Sequence, residues 1–271
     1  MISKVINGDC LEVMKNIPSG SIDAIITDPP YGTTACNWDN VIPFDLMWEQ
    51  LNRIIKPNGA IVLFGNEPFS SALRMSNIKN LKHEWYWNKK NAGNFVQAKN
   101  HPLKIIENII VFSNKKVNYY PKMNENSKEW TKILKAKHNN KKQSSIHQTV
   151  EDKYFKIASG KFISQTDESL SYPKNIIEIS KFSNECNSKH RLHPTQKPVE
   201  LIEYLIENYT KENEIVLDFT AGSGTTAISC INTNRSYILI EKEEKYFNII
   251  NERIAKHTQQ RAGEFSFENE L

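Results

Sequence analysis

Short apolar runs of strand length, separated by segments with helical periodicity, constrain the fold of this chain more than any other feature. Residues 60–64 and 109–112 are continuous apolar runs, the second within the strand-length segment 107–112, and Ile22–Thr27 is a short β-branched run. Residues 44–55 and Val199–Tyr209 carry apolar side chains at helical spacing. Continuous apolar strands that alternate with helices are typical of a parallel sheet covered on both faces. The sequence therefore predicts an α/β fold.

The same pattern continues toward both ends of the chain. The remaining predicted strands are 4–7, 215–219 and 237–240, and the remaining predicted helices are 11–17, 225–231 and 244–255. Residues 257–271 are polar, and we expect them to fray as a C-terminal tail. The pattern weakens between about 114 and 187, where Lys, Asn, Ser and Gln dominate. We expect an inserted subdomain there, with a small core of spaced aromatic residues that include Tyr119.

Composition and motif content exclude several classes of protein. The 271 residues suffice for one large domain or for one domain with an insertion. The apolar runs are shorter than the roughly 18 residues of a membrane span, and no signal peptide is recognisable, so we expect a cytoplasmic protein. The 4 cysteines form no C-x-x-C pair and the 7 histidines no H-E-x-x-H motif, so neither a disulfide framework nor a metal site is expected.

Positive charge is concentrated in the expected insertion. Residues 115–161 contain 12 lysines and 4 acidic residues, whereas the whole chain has a formal net charge of only +4. A basic segment on a slightly acidic body favours a polyanionic partner that is met through this segment. The alternative is a solvated lysine-rich loop.

A rigid turn rich in hydrogen-bond acceptors follows the predicted strand Ile22–Thr27. Pro29 and Pro30 fix an extended backbone at the carboxyl edge of the sheet, where open α/β sheets bind ligands. Both prolines keep their carbonyl acceptors, Asp28 adds a carboxylate and Tyr31 adds a flat aromatic face. This combination suits an amino group on a planar ring. The alternative is an ordinary turn whose tyrosine fills a gap in the core.

A glycine turn joins the predicted strand 215–219 to the next helix. In DFTAGSGTT, residues 218–226, Gly222 and Gly224 let the backbone approach a ligand, and the helix N-terminus supplies N–H donors. Glu241 ends the next strand, where a carboxylate accepts hydrogen bonds from ribose hydroxyls in adenosine-binding sheets. The turn lacks the third glycine of the dinucleotide fingerprint, which disfavours a nicotinamide dehydrogenase. An ordinary tight turn remains the alternative.

Taken together, these motifs resemble the β class of S-adenosylmethionine-dependent DNA amino-methyltransferases. Asp-Pro-Pro-Tyr at 28–31 precedes Asp-Phe-x-x-Gly-x-Gly at 218–224, with a long insertion between them. Further matches are Asn-Gly-Asp-Cys-Leu at 7–11, Trp-Asn-Lys at 87–89 and His-Pro-Thr-Gln-Lys-Pro at 193–198. The order and spacing of the five motifs agree with those of the family.

The resemblance covers about residues 5–112 and 190–255, and it implies a fold and a division of the chain. The implied fold is α/β, a circularly permuted Rossmann-like methyltransferase sheet with helices on both faces and an inserted basic target-recognition subdomain. The implied divisions are the catalytic half 1–113, the target-recognition region 114–190, the cofactor-binding half 191–256 and the polar tail 257–271.

The resemblance implies methyl transfer from S-adenosylmethionine to the N6 amino group of adenine in duplex DNA, by base flipping and in-line attack. Asp28 favours adenine, because the cytosine enzymes of the family more often have serine there. N4-cytosine methylation stays open, and RNA methylation, protein glutamine methylation or a catalytically inactive DNA-binding homologue are less favoured. A 5-methylcytosine enzyme is disfavoured, because no cysteine follows a proline. The implied partners are duplex DNA and a cognate restriction endonuclease, and the chain would act as a monomer or homodimer.

Individual roles follow from the matched motifs. The Asp28 carboxylate and the Pro29 carbonyl would accept the two amino N–H groups, and Tyr31 would stack on the flipped base. Trp87 and Phe95 are candidates for a second stacking aromatic. The implied cofactor-binding residues are Asp9, Cys10, Asp28, Thr195, Lys197, Asp218, Phe219, Gly222, Gly224, Thr225 and Glu241. The charge of the insertion predicts DNA contacts at Lys132, Lys135, Lys137, Lys141 and Lys142.

Overall fold

A mixed sheet of eight strands forms the centre of the larger of two units. The structure, a computed structural model, describes residues 3–34, 36, 39–92, 98–129, 131–132, 169–182 and 192–268, with side chains as far as residue 261. The chain divides into one compact unit of Met1–Tyr120 with Asn175–Leu271 and a second of Pro121–Lys174.

The strands of the larger unit are β1 (Ser3–Asn7), β2 (Ile22–Thr27), β3 (Ile55–Gly65), β4 (Leu81–Asn88), β5 (Ile106–Phe112), β8 (Ile176–Glu178), β9 (Ile215–Asp218) and β10 (Ser236–Glu241). Their order in the sheet is β1-β10-β9-β2-β3-β5-β4-β8. Strand β5 runs antiparallel to both of its neighbours, and the other neighbouring pairs are parallel. The smaller unit contains the antiparallel pair β6 (Asn124–Glu125) and β7 (Leu170–Ser171).

Helices cover both faces of the sheet. They are α1 (Cys10–Met14), α2 (Phe44–Ile54), α3 (Phe69–Ser76), α4 (Val199–Tyr209), α5 (Thr225–Asn232) and α6 (Glu244–Glu268). Helices α1, α2 and α3 share one buried cluster with Ile25, whereas α4, α5 and α6 share another with Ala24 and Ile26. Successive side chains of a strand point to opposite faces, so β2 contributes to both layers. The predicted α/β class, a large central sheet flanked by helices, is confirmed.

The expectation of a parallel sheet was wrong for β5, which is antiparallel to both of its neighbours. Its residues Ile109, Ile110 and Val111 are fully buried, as in the parallel strands, because helices cover this part of the sheet on both faces as well. Burial on both faces produces a continuous apolar run whatever the direction of the strand. The pattern therefore identifies the strand and leaves its direction undetermined.

The expected frayed tail is replaced by helix over most of its length, because α6 continues to Glu268. His257 Nε2 lies 2.7 Å from Asn232 Oδ1, and Arg261 Nη1 donates to the Ile231 carbonyl at 2.5 Å. These contacts hold the second half of α6 against α5. The described part of the chain contains no helix with the length and apolarity of a membrane span.

The second unit, Pro121–Lys174, is shorter than the predicted target-recognition region 114–190. Residues 114–120 and 175–182 belong to the larger unit, where β8 pairs with β4. Tyr119, which we expected in a core of the insertion, instead packs against Trp85 and Tyr209, at ring-centroid distances of 6.2 and 5.9 Å. The assignment of this region to target recognition stays a prediction.

Candidate active site

A cavity of about 400 Å³ opens at the carboxyl ends of β1, β2, β9 and β10. These four strands are parallel, so the segments that follow them meet at the same edge of the sheet. The predicted site residues that line the cavity are Asp9, Cys10, Asp28, Pro29, Pro30, Tyr31, Thr195, Lys197, Asp218, Phe219, Gly222, Thr225 and Glu241. The structure thus brings together residues separated by more than 200 positions in the sequence.

Gly224 is the predicted cofactor residue that does not belong to the described lining. It immediately precedes α5 with a φ of 75°, and an added Cβ would lie 2.9 Å from Ile250 Cγ2. Gly222 has a φ of 55° and lies in the lining. Both positions need the left-handed backbone that glycine adopts most easily, but Gly224 is constrained by the packing of α6.

Asp218 holds the glycine turn to the end of β2. Its buried carboxylate accepts hydrogen bonds from the hydroxyls of Thr27 at 2.5 Å and Thr226 at 2.6 Å. The Thr220 hydroxyl lies 2.8 Å from Thr27 Oγ1 and donates to the Asp28 carbonyl at 3.1 Å. Burial raises the pKa of Asp218 despite these hydrogen bonds. The two motifs that the resemblance joined are therefore bonded directly to each other.

Two further carboxylates are fixed by backbone amides. Glu241 accepts the Gly222 N–H at 2.7 Å and the Glu243 N–H at 2.9 Å, and burial raises its pKa. Asp9 caps α1 by accepting the Leu11 N–H at 3.0 Å. Burial, reinforced by Asp9, raises the pKa of the neighbouring Cys10 thiol to about 11, so the thiol is neutral at physiological pH.

His193 orders the segment that enters the cavity before α4. Its Nδ1 accepts the Thr195 N–H at 3.3 Å, and its ring lies 4.3 Å from the ring of Tyr246, centroid to centroid. Burial, together with Lys197 and Lys245, lowers the pKa of His193 to about 4. The imidazole is therefore neutral at physiological pH and acts as an acceptor for its own turn.

Four polar side chains form a connected group beside the cavity, which we call the acid–lysine cluster: Asp28, Tyr31, Glu107 and Lys197. Asp28 accepts hydrogen bonds from the Tyr31 hydroxyl and from Lys197 Nζ. Glu107 Oε1 lies 3.2 Å from both the Tyr31 hydroxyl and Lys197 Nζ, and its Oε2 lies 3.4 Å from Lys89 Nζ. The side chains of Lys197 and Glu107 are only 10% and 8% exposed, so these charges interact in a poorly screened environment.

The pKa values of the two carboxyl groups in the cluster are shifted in opposite directions. Burial and the negative charge of Glu107 raise the pKa of Asp28, against the opposing effect of Lys197. Burial disfavours ionisation of Glu107 as well, but Lys197 and Lys89 outweigh it and lower the pKa of Glu107. Lys197 stays charged, because the two carboxylates raise its pKa against the effect of burial. Asp28 is thus the carboxylate with the higher proton affinity, and it lines the cavity.

The backbone after the two prolines is held by one carboxylate. Asp39 accepts the N–H groups of residues 31, 32, 33 and 34 at 2.6–2.9 Å. Although burial opposes it, hydrogen bonds to Thr34 and to these amides lower the pKa of Asp39. The Tyr31 ring lies 5.0 Å from the ring of Phe69, centroid to centroid. Asp39 and Phe69 therefore fix the position of Tyr31, the side chain for which base stacking is predicted.

Sequence reasoning missed Glu107 and Asp39. A carboxylate in the strand-length segment that leads into the apolar run 109–112 was a usable signal for Glu107, because an ionised group is buried only when it has partners. Asp39 lies in a segment without periodicity, and no local signal identifies it. Trp87, a candidate for the second stacking aromatic, is instead a core residue that is 2% exposed and donates to the Ile179 carbonyl. The other candidate, Phe95, lies outside the described residues.

Of the five predicted DNA-binding lysines, Lys132 is the one that the structure describes. Lys132 is exposed in the second unit. The other four, Lys135, Lys137, Lys141 and Lys142, lie outside the described residues. Their role stays a prediction. The described residues contain no cluster of His, Cys, Asp and Glu that would hold a metal ion.

The fold and the cavity define the class of this protein, a DNA methyltransferase. Residues 22–252 match the N6_N4_Mtase family, described as "DNA methylase", and the chain belongs to this family. The chain is 29% identical to the type II methyltransferase M.HpaI of Haemophilus parainfluenzae, over 94% of this chain and 74% of the relative. It is 27% identical to the DNA adenine methyltransferase YhdJ of Escherichia coli, over 90% and 80%.

Solved structures share the fold. The M1.HpyAVI–SAM complex superposes with a TM-score of 0.59 at 25% identity, covering 94% of this chain and 99% of the other. The cytosine-N4-specific PvuII DNA methyltransferase superposes with a TM-score of 0.62 at 17% identity, covering 96% and 92%. The second likeness extends to the fold alone.

Proposed function

We propose that this protein is a β-class methyltransferase that transfers a methyl group from S-adenosylmethionine to the N6 amino group of adenine in duplex DNA. The observation that carries the proposal is Asp28, a carboxylate of raised pKa that lines the cavity between Pro29 and the glycine turn. The order of the motifs, with Asp28 before the turn at 218–224, supports the β class. The similarity to YhdJ, a DNA adenine methyltransferase, supports adenine as the base.

The cavity fits S-adenosylmethionine. Its volume of about 400 Å³ lies within the usual range of small-molecule sites, roughly 300–1,000 Å³. Glu241 and Asp9 each have acceptor capacity beyond the amide bonds that they make, for ribose hydroxyls and the adenine amino group. An acidic lining also suits a cationic sulfonium. When bound, S-adenosylmethionine supplies an electrophilic methyl group, and M1.HpyAVI, a structural neighbour of 25% identity, forms a complex with this cofactor.

The residues of this chain prepare the amino group for attack. Its nitrogen lone pair is delocalised into the base, which makes it a weak nucleophile. Hydrogen bonds from its two N–H groups to the Asp28 carboxylate and the Pro29 carbonyl favour a pyramidal nitrogen with a localised lone pair. After transfer, Asp28 accepts one proton from the methylated nitrogen and releases it to solvent. Tyr31 stacks on the flipped base, which compensates part of the cost of flipping.

The base is identified by labelling. Purified protein is incubated with methyl-labelled S-adenosylmethionine and unmethylated duplex DNA, and the digested nucleosides are separated. We expect the label in 6-methyladenine. Label in 4-methylcytosine would keep the mechanism and correct the base, and a protein that binds the cofactor but labels only RNA would refute DNA as the substrate.

The inserted region is proposed to recognise the DNA target, with Lys132 and the lysines up to 142 as phosphate contacts. Its excess of lysine over acidic residues supports this role, because phosphate neutralisation dominates DNA affinity. Relatives such as M.HpaI carry the designation type II methyltransferase, which supports a cognate restriction endonuclease as a partner. A digest of methylated and unmethylated DNA with candidate endonucleases tests that pairing.

A further inference from the structure

Glu107 is a buried carboxylate that contacts residues of the candidate active site without lining the cavity itself. The residue lies on β5, is 6% exposed and is not one of the described residues that line the cavity. Its Oε1 faces two residues that do line the cavity, Tyr31 and Lys197, at 3.2 Å each. Lys89 Nζ lies 3.4 Å from its other oxygen.

These contacts exceed what burial of one carboxylate requires. An ionised group is tolerated in a protein interior when a cation and hydrogen bonds compensate it, and Lys89, which is not among the described lining residues, provides a cation at Oε2. Oε1 is nevertheless directed at both side chains that hydrogen-bond Asp28. Glu107 is therefore connected to Asp28 through two separate side chains, those of Tyr31 and Lys197.

We propose that Glu107 is a positioning residue for methyl transfer, which acts through Lys197 and Tyr31 to keep Asp28 oriented and available as a proton acceptor. This inference rests on the function proposed above. Glu107 itself does not contact the base, and Asp28 remains the residue that accepts the amino proton.

The physical basis is the sharing of one ammonium between two carboxylates. Lys197 contacts Asp28 and Glu107 together, and its ammonium lies 4.9 Å from the centroid of the Phe64 ring. Without the charge of Glu107, Lys197 would no longer be shared with that carboxylate and would stabilise the ionised form of Asp28 more strongly. Asp28 would then be a poorer acceptor for the proton that leaves the methylated nitrogen.

Charged and titratable groups face Asp28 from four packed segments. Lys197 approaches from the segment before α4, Glu107 from β5, and Tyr31 from the turn after β2. Asp218 at the end of β9 adds a further carboxylate. In the proton step the N–H bond breaks and an O–H bond forms on Asp28, while the charges of Glu107 and Lys197 stay unchanged.

The first measurement titrates Asp28 directly in the protein without DNA or cofactor. The carboxyl carbon of aspartate is labelled with ¹³C, and the Asp28 signal is assigned by its loss in Asp28→Asn. We expect it to titrate above the ordinary aspartate value, and its midpoint to fall by about one pH unit in Glu107→Gln. An unchanged midpoint would overturn the proposal.

Asp23→Asn is the matched control. Asp23 is also a buried carboxylate in the sheet, 8% exposed, with Lys56 Nζ at 2.5 Å and the Ile215 N–H at 3.0 Å. It lies at the beginning of β2, whereas Asp28 follows the end of the same strand. We expect Asp23→Asn to lower stability without moving the Asp28 titration. A similar displacement in both variants would refute a specific role of Glu107.

The second measurement is the pH profile of methyl transfer. Activity is lost as the pH falls through the raised pKa of Asp28, so Glu107→Gln should move the acid limb to lower pH. It should also reduce kcat at neutral pH about tenfold, with little change in KM for S-adenosylmethionine. Glu107→Asp restores the charge and should recover part of kcat. Loss of activity in proportion to loss of folded protein, with an unmoved acid limb, would assign Glu107 a structural role alone.

The two proposals fail in different ways. If the wild-type protein methylated no adenine but its Asp28 titration still responded to Glu107→Gln, the proposed base would be wrong and the coupling within the acid–lysine cluster would stand. If adenine were methylated but Glu107→Gln changed neither the Asp28 titration midpoint nor the acid limb of the pH profile, the proposed role of Glu107 would be wrong and the proposed function would stand.

Discussion

Alanine at Gly224 tests whether the glycine turn is shaped by packing within the protein. The residue has a φ of 75°, and a Cβ would lie 2.9 Å from Ile250 Cγ2 and 3.0 Å from Cγ1. A left-handed backbone costs an L residue about 1 kcal/mol, the lower end of the usual range. Forcing a methyl group into a packed site costs roughly a further 1–3 kcal/mol. Gly224→Ala should therefore lower the free energy of unfolding by about 2–4 kcal/mol.

Gly20 provides the control that separates the two costs. Its φ is 62°, and an added Cβ would meet no atom within 4 Å. Gly20→Ala should cost only the backbone component, about 1 kcal/mol. In an Ile250→Ala background the two Cγ atoms are gone and only Cβ, 3.3 Å away, remains, so Gly224→Ala should then cost much less than in wild type and approach the cost of Gly20→Ala. The coupling between positions 224 and 250 would thus be measured in one double-mutant cycle.

Urea unfolding at 25 °C, followed by tryptophan fluorescence, gives the free energies for the variants. The decisive quantity is the difference between Gly224→Ala and Gly20→Ala. If the two substitutions cost the same, the contact with Ile250 contributes nothing and the packing argument fails. If Gly224→Ala costs as much with Ile250→Ala as with Ile250, the strain has another source.

Three further predictions concern the site and the insertion. Asp28→Ala should reduce methyl transfer by about 1,000-fold or more. Cofactor binding should stay measurable by calorimetry, because Lys197 keeps Glu107 as a partner at 3.2 Å; near-normal turnover would refute the assignment. Asp39→Ala removes the acceptor of four backbone N–H groups, so we expect faster amide exchange at 31–34 and about tenfold lower turnover. Because the pKa of Asp39 is lowered, this order persists above the ordinary aspartate pKa and is lost in wild type only as the pH falls through the lower value; protection unchanged in the variant would contradict the role. Neutralising the lysines at 132–142 should weaken DNA binding and flatten its salt dependence, and an unchanged slope would favour the solvated loop.

The strands on which the site depends were predictable because they are buried on both faces. β2, β9 and β10 appear in the sequence as short segments rich in β-branched and apolar residues, and they were confirmed to within two residues. β4 was not predicted, because Lys82 and Glu84 interrupt its apolar pattern. Glu84 is accommodated by Arg74 of α3, a contact that depends on tertiary structure and leaves no local signal.

The residues of the candidate site were likewise predictable only in part. Residues at the ends of parallel strands were expected to meet, and the cavity contains Asp9, Asp28 and Glu241 as predicted from the motifs. Glu107 was not predicted as a site residue because its partner Lys197 is 90 positions away in the sequence, and neither residue alone indicates that the two side chains form an ion pair. Gly224 was assigned to the cofactor, and that assignment stays a prediction; no sequence signal indicated that an added Cβ there would meet Ile250, a residue of the last helix.

The way the larger unit holds the two ends of the insertion bears on how such a protein changes over evolutionary time. Tyr120 donates its N–H to the Asn208 carbonyl, and Asn175 accepts the Tyr86 N–H, both at 2.8 Å. The chain therefore leaves the larger unit and returns to it at residues whose backbone is hydrogen-bonded within that unit. We expect changes in the length or sequence of residues 121–174 to leave both junctions and the sheet unchanged. The segment could then be replaced during evolution without a change in the residues that line the cavity of the larger unit.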